Sequence, residues 1–281
     1  MPINPDAAGS VGEPTEISWT SKQSLLYALG VGAGVSDPTG FELEFTTENS
    51  DGVSQRALPT MGVVIGGGRT PEFGSFNPVF LLHAEQEITC HREIPAEGNA
   101  TATGKVGAIY DKGKAALVYL ETEVVGDDDQ PLWSTRAGLF LGGEGGWGGD
   151  RGPSNDWAAP DRDPDHVIST ATRADQALLY RLSGDRNPLH SDPAFAAAAG
   201  FDQPILHGLC TYGFTGRALL HATCGSDPAR FGSMGGRFKS PVMPGEVLDI
   251  HAWEVDEETV LFQTRVDDRV VFDAGVMTRR A

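Results

Sequence analysis

The sequence predicts an α+β protein made of two repeats, in each of which an antiparallel sheet wraps a central helix. Three observations carry that expectation. The chain has 281 residues, which suits two units of about 120 residues and a linker. A helical segment recurs: Leu25-Leu26-Tyr27-Ala28-Leu29 matches Leu178-Leu179-Tyr180-Arg181-Leu182, and Ser36-Asp37-Pro38 later matches Ser191-Asp192-Pro193. Shared order of this kind favours duplication over chance. Runs rich in β-branched residues, separated by short turns, fill much of the remainder. The expected units are 1–141 and 166–281, joined by a Gly-, Pro- and Asp-rich linker at 142–165.

Residues 1–15 are polar and are expected to form a poorly ordered lead-in. Ser21 is the expected cap of the first helix, with Leu25, Leu26 and Leu29 on one face. The step from Leu25 to Leu82 is roughly twice that from Leu178 to Leu206, so the first copy carries an insertion, which includes the short apolar run 58–65. Leu82-His83 matches Leu206-His207 in letters. The second pair opens a long apolar helical run to about His221, whereas the first leads straight into a strand-like stretch at 87–94. A shorter central helix with vacated volume is therefore expected in the first unit. Strands at 104–110 and 115–125, joined by the turn Asp111-Lys112-Gly113-Lys114, and a strand at 131–141 complete that half. Gly143, Gly145 and Gly148 satisfy the pattern G-x-G-x-x-G, but no helix follows and Glu144 would face a phosphate, so a plain flexible connection is preferred. Thr172-x-x-Asp175 looks like a capping box for the second L-L-Y helix, and strands at 246–255, 259–266 and 269–278 close the chain.

A formal charge of −18 argues against nucleic acid or an anionic membrane surface as partner. Cys90, Cys210 and Cys224 are odd in number and lack C-x-x-C spacing, which fits unpaired thiols in a reducing compartment. The opening residues lack a basic segment and apolar core, no run of about eighteen apolar residues exists, and the ending T-R-R-A is not a peroxisomal address. A cytoplasmic location without membrane insertion is the expectation.

Reactive side chains concentrate between Tyr180 and Tyr212. Asp185, Asn187 and His190 fall around Asn187-Pro188, where the residue before proline is held out of the helical region. A turn there brings a carboxylate, a carboxamide and an imidazole to one small volume, as general acid/base chemistry requires. Singly, Asp185 and Asn187 read as ordinary turn residues; with His190 at this spacing the catalytic reading is preferred. Leu206-His207-Gly208-Leu209 then starts a helix, whose unpaired N–H groups and positive dipole end suit a developing oxyanion. The first copy reads G-V-G-A-G-V at the corresponding place, so one half is equipped and the other blank. His207 is read as structural, as are His83, His91, His166, His221 and His251. No metal is expected at His190-x-Asp192, because no further ligand lies at metal-site spacing and Asp192-Pro193 reads as a helix cap. Arg237 and Lys239 form a local basic pair, suited equally to an anionic ligand or a solvated strand edge.

The run Y-R-L-S-G-D-R-N-P-L-H-S-D-P, followed by P-I-L-H-G-L, resembles the signature of the hydratase 2 (MaoC-like) family, the (R)-specific enoyl-CoA hydratases of the hot-dog fold. Leu81 to Gln86 resembles the L-H-G-E-Q segment of double hot-dog members, with Ala84 where the pattern has glycine. The resemblance implies a double hot-dog whose first half houses the acyl chain and whose second half carries catalysis. It implies addition of water to the C2=C3 bond of a trans-2-enoyl-CoA in fatty-acid or related acyl-CoA metabolism. Asp185 and His190 would hold the water, Asn187 would fix its position, and the Gly208 N–H would meet the enolate oxygen. Arg237 and Lys239 are candidates for the coenzyme A phosphates. No separate cofactor is implied, the coenzyme A thioester being the substrate, and pairing into a homodimer is expected from the resemblance alone. The alternatives are a hot-dog acyl-CoA thioesterase and a non-catalytic acyl-CoA-binding subunit.

Overall fold

The computed structural model describes residues 3–38 and 40–280. Along the chain run β1 (Thr15–Trp19), α1 (Ser21–Gly30), α2 (Leu43–Thr46), β2 (Leu81–Cys90), β3 (Gly98–Asp111), β4 (Ala115–Gly126), β5 (Pro131–Gly142) and β6 (His166–Ala171). Then come α3 (Gln176–Tyr180), α4 (Pro193–Ala198), α5 (Gly208–Cys224), β7 (Phe231–Phe238), β8 (Val247–Glu254), β9 (Thr259–Val266) and β10 (Arg269–Arg279). The described strands form one sheet in the order β1-β3-β4-β5-β2-β7-β10-β9-β8-β6, with antiparallel neighbours throughout. From the β2–β7 seam outward, both directions give the same succession of strands, so the duplication read from the L-L-Y segments is repeated in the topology. The helices carrying those segments meet: the Tyr27 and Tyr180 rings lie 6.2 Å apart, and Gln176 Nε2 donates to Gly30 O at 2.7 Å.

The core is organised on α5, which is buried on every side from Cys210 to Leu220. A helix apolar around its whole circumference belongs inside a protein. A methyl group at Gly213 would collide with Val31, and one at Gly216 with Thr60, so two glycines let the first repeat press directly onto the helix of the second. Among the described residues the first repeat has no helix like α5; the run 58–65 forms the 3-10 turn Pro59–Val63, which packs on α5. The expected short central helix is thus reduced to a single turn.

Several local expectations are corrected. Leu82-His83 is not the counterpart of Leu206-His207, because it lies inside β2, the pseudo-symmetric partner of β7. Strand β2 begins at Leu81 rather than 87, and Ala84 falls at a register shift in its pairing with β5. The cap of α1 is Thr20, in a reciprocal box with Gln23, and the buried face is Ser24, Tyr27 and Ala28, with Leu29 41% exposed. Thr172 caps nothing: its hydroxyl donates to Glu246 O and accepts from Gly245 N. The lead-in is anchored, since Ile3 and Ala7 join Val106, Ile109, Ala116, Val118 and Leu141 in a second apolar cluster.

The linker is tied down as well. The Asp111 carboxylate accepts N–H bonds from Gly113, Gly146 and Gly148 at 2.7, 2.8 and 2.7 Å, with Gly149 at 3.3 Å. These bonds, led by that from Gly146, hold its pKa down at about 2. The glycine loop therefore cradles the chain's own anion, which removes the phosphate reading and replaces free flexibility with a defined loop.

A buried ion network joins the halves. Glu42, with no exposed side-chain surface, meets Arg217 Nη1 at 3.1 Å and His221 Nε2 at 2.7 Å, and accepts from Gly34 N at 2.9 Å. Burial alone would raise the Glu42 pKa, but the His221 hydrogen bond, the Arg217 charge and the Gly34 N–H together hold it below its ordinary 4.5. Glu42→Gln strands the Arg217 charge, so unfolding stability is expected to drop by about 3 kcal/mol or more, or roughly 10 °C in melting temperature. Because the folded pKa is depressed, the contribution of this carboxylate is complete above about 4.5 and is lost as pH falls through the folded value. Thermal melts from pH 7 to 3.5 should therefore show the gap between wild type and Glu42→Gln narrowing; a constant gap contradicts the assignment.

Candidate active site

After α3 the chain tightens into the 3-10 turn Arg181–Ser183 and is released by Gly184, whose φ of 135° lies in a region closed to side-chain-bearing residues. Two side-chain turns follow. Asp185 Oδ1 accepts from Asn187 N at 3.0 Å, and Asn187 Oδ1 accepts from Leu189 N at 3.0 Å, with Pro188 starting the 3-10 turn Pro188–His190. This winding returns His190 to the side of Asp185. The Asn187 carboxamide oxygen is committed to the turn, so only its Nδ2 is left to meet a water. Asp192 caps α4 through Ala194 N and Phe195 N, as expected.

Asp185 is exposed, whereas His190 is 8% exposed. The His190 Nδ1–H donates to Ile205 O at 2.9 Å; a carbonyl only accepts, so the bond sets the tautomer and leaves Nε2 as a lone pair. Burial lowers the His190 pKa, partly offset by that carbonyl and by Asp185. His207 stacks on the same ring, with centroids 3.8 Å apart and planes at 29°. It is 1% exposed, its Nε2–H donates to the Asp185 backbone O at 3.3 Å, and Nδ1 is buried without a partner. Burial, then proximity to His190, brings its pKa down to about 4. Asp185, His190 and His207 each present a ligand atom within 4.8 Å of the others'.

His207 is also the N-cap of α5 but makes no side-chain cap bond, so the first N–H groups of that 17-residue helix, starting at Gly208, are left for an outside acceptor. A Cβ on Gly208 would lie 3.2 Å from Phe238 Cε1, so glycine keeps space between the helix start and β7. The first repeat contributes too. His83 of β2 stacks edge-on against Phe238 at 5.1 Å, its Nε2 is buried without a partner, and the Asp185 charge reaches it. Reading the sequence left both His83 and His207 as structural. The available signal was the Leu-His pair in each half, but the two histidines arrive from unlike positions, one on a strand and one at a helix cap.

A cavity of about 240 Å³ opens between the repeats, lined by Ile17, Trp19, Leu26 and Met61 from the first and by Leu182 and Ser183, just before Asp185, from the second. Arg237 and Lys239 are not brought to this cluster. They flank Phe238 in sequence and so take the other face of the sheet, where Arg237 pairs with Glu85 at 2.7 Å and Lys239 with Asp273 at 2.9 Å. Cys90, Cys210 and Cys224 are buried free thiols. Among the described residues no helix is long and apolar enough to cross a membrane.

Comparison with known proteins shows the family of the chain. The MFE-2 hydratase 2 N-terminal domain matches residues 17–143, and the MaoC like domain matches residues 156–274. The 3-hydroxyacyl-thioester dehydratase Y of Mycobacterium tuberculosis is 46% identical, covering 99% of this chain and 98% of that protein. A probable enoyl-CoA hydratase 2 of Dictyostelium discoideum is 40% identical, covering 94% of this chain and 92% of its own. The crystal structure of a MaoC-like dehydratase from Phytophthora capsici superposes with a TM-score of 0.87 at 33% identity, covering 99% and 98% of the two chains. Both halves of the fold and nearly the full length are matched, and the chain belongs to the MaoC-like hydratase 2 family.

Proposed function

We propose that this protein is an (R)-specific trans-2-enoyl-CoA hydratase, which in reverse is a (3R)-hydroxyacyl-thioester dehydratase. The observation that carries the reading is the pairing of Asp185 with a tautomer-set, neutral His190 beside the uncapped start of α5. Conjugation with the thioester makes C3 electrophilic, and attack there moves charge onto the thioester oxygen. His190 Nε2 takes a proton from the water as its oxygen bonds to C3, while Asp185 holds the same water. The pair returns a proton to C2, so water is added and the enzyme ends as it began. The Gly208 N–H stabilises the enolate oxygen, a contribution of about 3 kcal/mol for a donor of this kind. Asn187 acts chiefly by setting the turn.

The acyl chain is assigned to the cavity between Leu26, Met61 and Leu182, which draws its apolar lining mostly from the first repeat. Coenzyme A enters as substrate, with no separate cofactor assigned. A cytoplasmic location fits three buried, unpaired cysteines, and association into a homodimer is carried forward from the family resemblance. No observation favours the thioesterase or the binding subunit.

Direct assays test this. With crotonyl-CoA, wild type should consume the enoyl thioester and yield a product that an (R)-specific dehydrogenase oxidises. Asp185→Asn keeps an oxygen for the Asn187 N–H, so the turn survives, yet kcat should fall by about 10²–10⁴. Release of free thiol from a saturated acyl-CoA would instead indicate the thioesterase. Leu26→Trp should reduce kcat/KM for a medium-chain enoyl-CoA at least tenfold while leaving crotonyl-CoA within about twofold, since each excluded methylene is worth about 0.8 kcal/mol. Equal losses for both chains remove the chain from that cavity. Arg237→Ala should change KM by less than about twofold, because surface pairs already satisfied contribute little; a tenfold rise would assign Arg237 to a coenzyme A phosphate.

A further inference from the structure

We infer that His207 is a positioning residue for hydration: it gives its Nε2–H to the Asp185 main-chain carbonyl while its ring lies against His190, and so fixes the spacing of the two groups that handle the water. This role rests on the reading of Asp185 and His190 as the reacting pair.

The need for such a tie comes from the loop. Residues 184–188 are all exposed, and Gly184, with φ at 135°, gives the chain a pivot just before Asp185. The side-chain turns at Asp185 and Asn187 shape the loop from within but do not attach it to the core. Among the described residues, the one hydrogen bond made by the Asp185 main chain is the 3.3 Å bond from His207. Misplacing a reacting group by about 1 Å can cost about 10² in rate, so an exposed carboxylate beside a glycine pivot needs an anchor of this kind.

The anchor itself is firm. His207 ends the segment 205–207, in which Leu206 N donates to Val242 O at 2.8 Å and Ile205 O receives the His190 Nδ1–H at 2.9 Å. The segment runs directly into α5, which is buried from Cys210 onward. The His207 ring is 1% exposed and packs against Tyr180 and His190, with centroids 5.1 and 3.8 Å away. One side chain therefore meets His190 with its face and holds the Asp185 main chain through its Nε2–H.

Packing alone does not explain an imidazole here. Its Nδ1 is buried with no partner, and an unmet acceptor in such a place is destabilising. A phenyl ring would fill the site without that defect; what it would lack is the Nε2–H. Burial and then the neighbouring His190 bring the His207 pKa down to about 4. The ring is thus neutral near pH 7, and His190 can take up a proton beside it without like-charge repulsion.

The test compares His207→Phe, which keeps a ring on His190 and removes the donor, with His207→Gln, whose amide keeps a donor near the Nε2 position and removes the ring. Both are assayed with crotonyl-CoA and melted beside wild type. His207→Phe should lose about 10² in kcat with KM within about threefold, and its melting temperature should stay within about 3 °C, since the lost bond and the removed orphan offset each other. His207→Gln should keep kcat within about tenfold of wild type. Added to Asp185→Asn, His207→Phe should cost less than about twofold more, because a positioning residue then has nothing left to position; a merely structural role gives the product of the two losses. Near-wild-type kcat in His207→Phe, a His207→Gln as slow as His207→Phe, or multiplying losses overturns the role and leaves the hydratase reading standing. A wild type that does not hydrate crotonyl-CoA, or an Asp185→Asn as fast as wild type, overturns both. If His207→Phe does not fold, His207→Met, also without a donor, takes its place; failure of both to fold makes the residue structural and overturns the role.

Discussion

The burial of one helix holds this molecule together. Helix α5 is enclosed from Cys210 to Leu220, and the first repeat, having only the 3-10 turn Pro59–Val63 in its place, depends on the second for its interior. A fully buried large apolar side chain stabilises by about 1.5–3 kcal/mol, and Phe214, Leu219 and Leu220 are each fully buried on this helix. Gly213 and Gly216 let Val31 and Thr60 approach the helix axis, and Glu42 clamps its later turns through Arg217 and His221. Each of these contacts comes from the first repeat. The direction and depth of α5 are therefore set by both halves, and its N-terminus is where Gly208 offers a free N–H.

The chemistry inherits that rigidity. His207 ends the approach to α5 and reaches the Asp185 carbonyl, so the loop that carries Asp185 and the helix start are fixed to each other. His190 is oriented by Ile205, two residues before His207. The same short segment that delivers the helix thus supplies the carbonyl that chooses the tautomer of His190. The carboxylate of Asp185 is exposed and the imidazole of His190 enclosed, so the two groups that the proposed mechanism pairs sit in unlike environments.

Much of this was readable from residue order. The L-L-Y repeat announced the duplicated sheet, and the long β-branched runs announced β3, β4 and β5 to within a few residues at most of their ends. The turn chemistry around Asn187-Pro188 placed Asp185 and His190 near each other. What escaped had distant causes. Ile3 and Ala7 are two apolar letters in a polar run, and the surface they cover is built from residues about a hundred positions later. Glu42 gives no local sign that its partners are Arg217 and His221. The two-letter match of Leu82-His83 with Leu206-His207 misled because a strand and a helix cap share composition but not period. His207 had an ordinary local reading, and only its contact with His190 makes it more.

The Asp111 cradle has a consequence for assembly. The segment from Gly142 to His166 joins the repeats, and its first half is pinned to the β3–β4 turn through Gly146, Gly148 and Gly149. The remainder is the tether between the repeats before they dock, and in the folded chain it is fixed in turn, Trp157 Nε1 donating to Gly275 O at 3.2 Å and Arg162 Nη2 to Glu254 O at 2.9 Å. Closing a shorter tether costs less chain entropy and raises the effective concentration of one repeat at the other. A glycine-rich stretch that looks like slack thus becomes a ruler, and the carboxylate that fills it limits the search by which β7 finds β2.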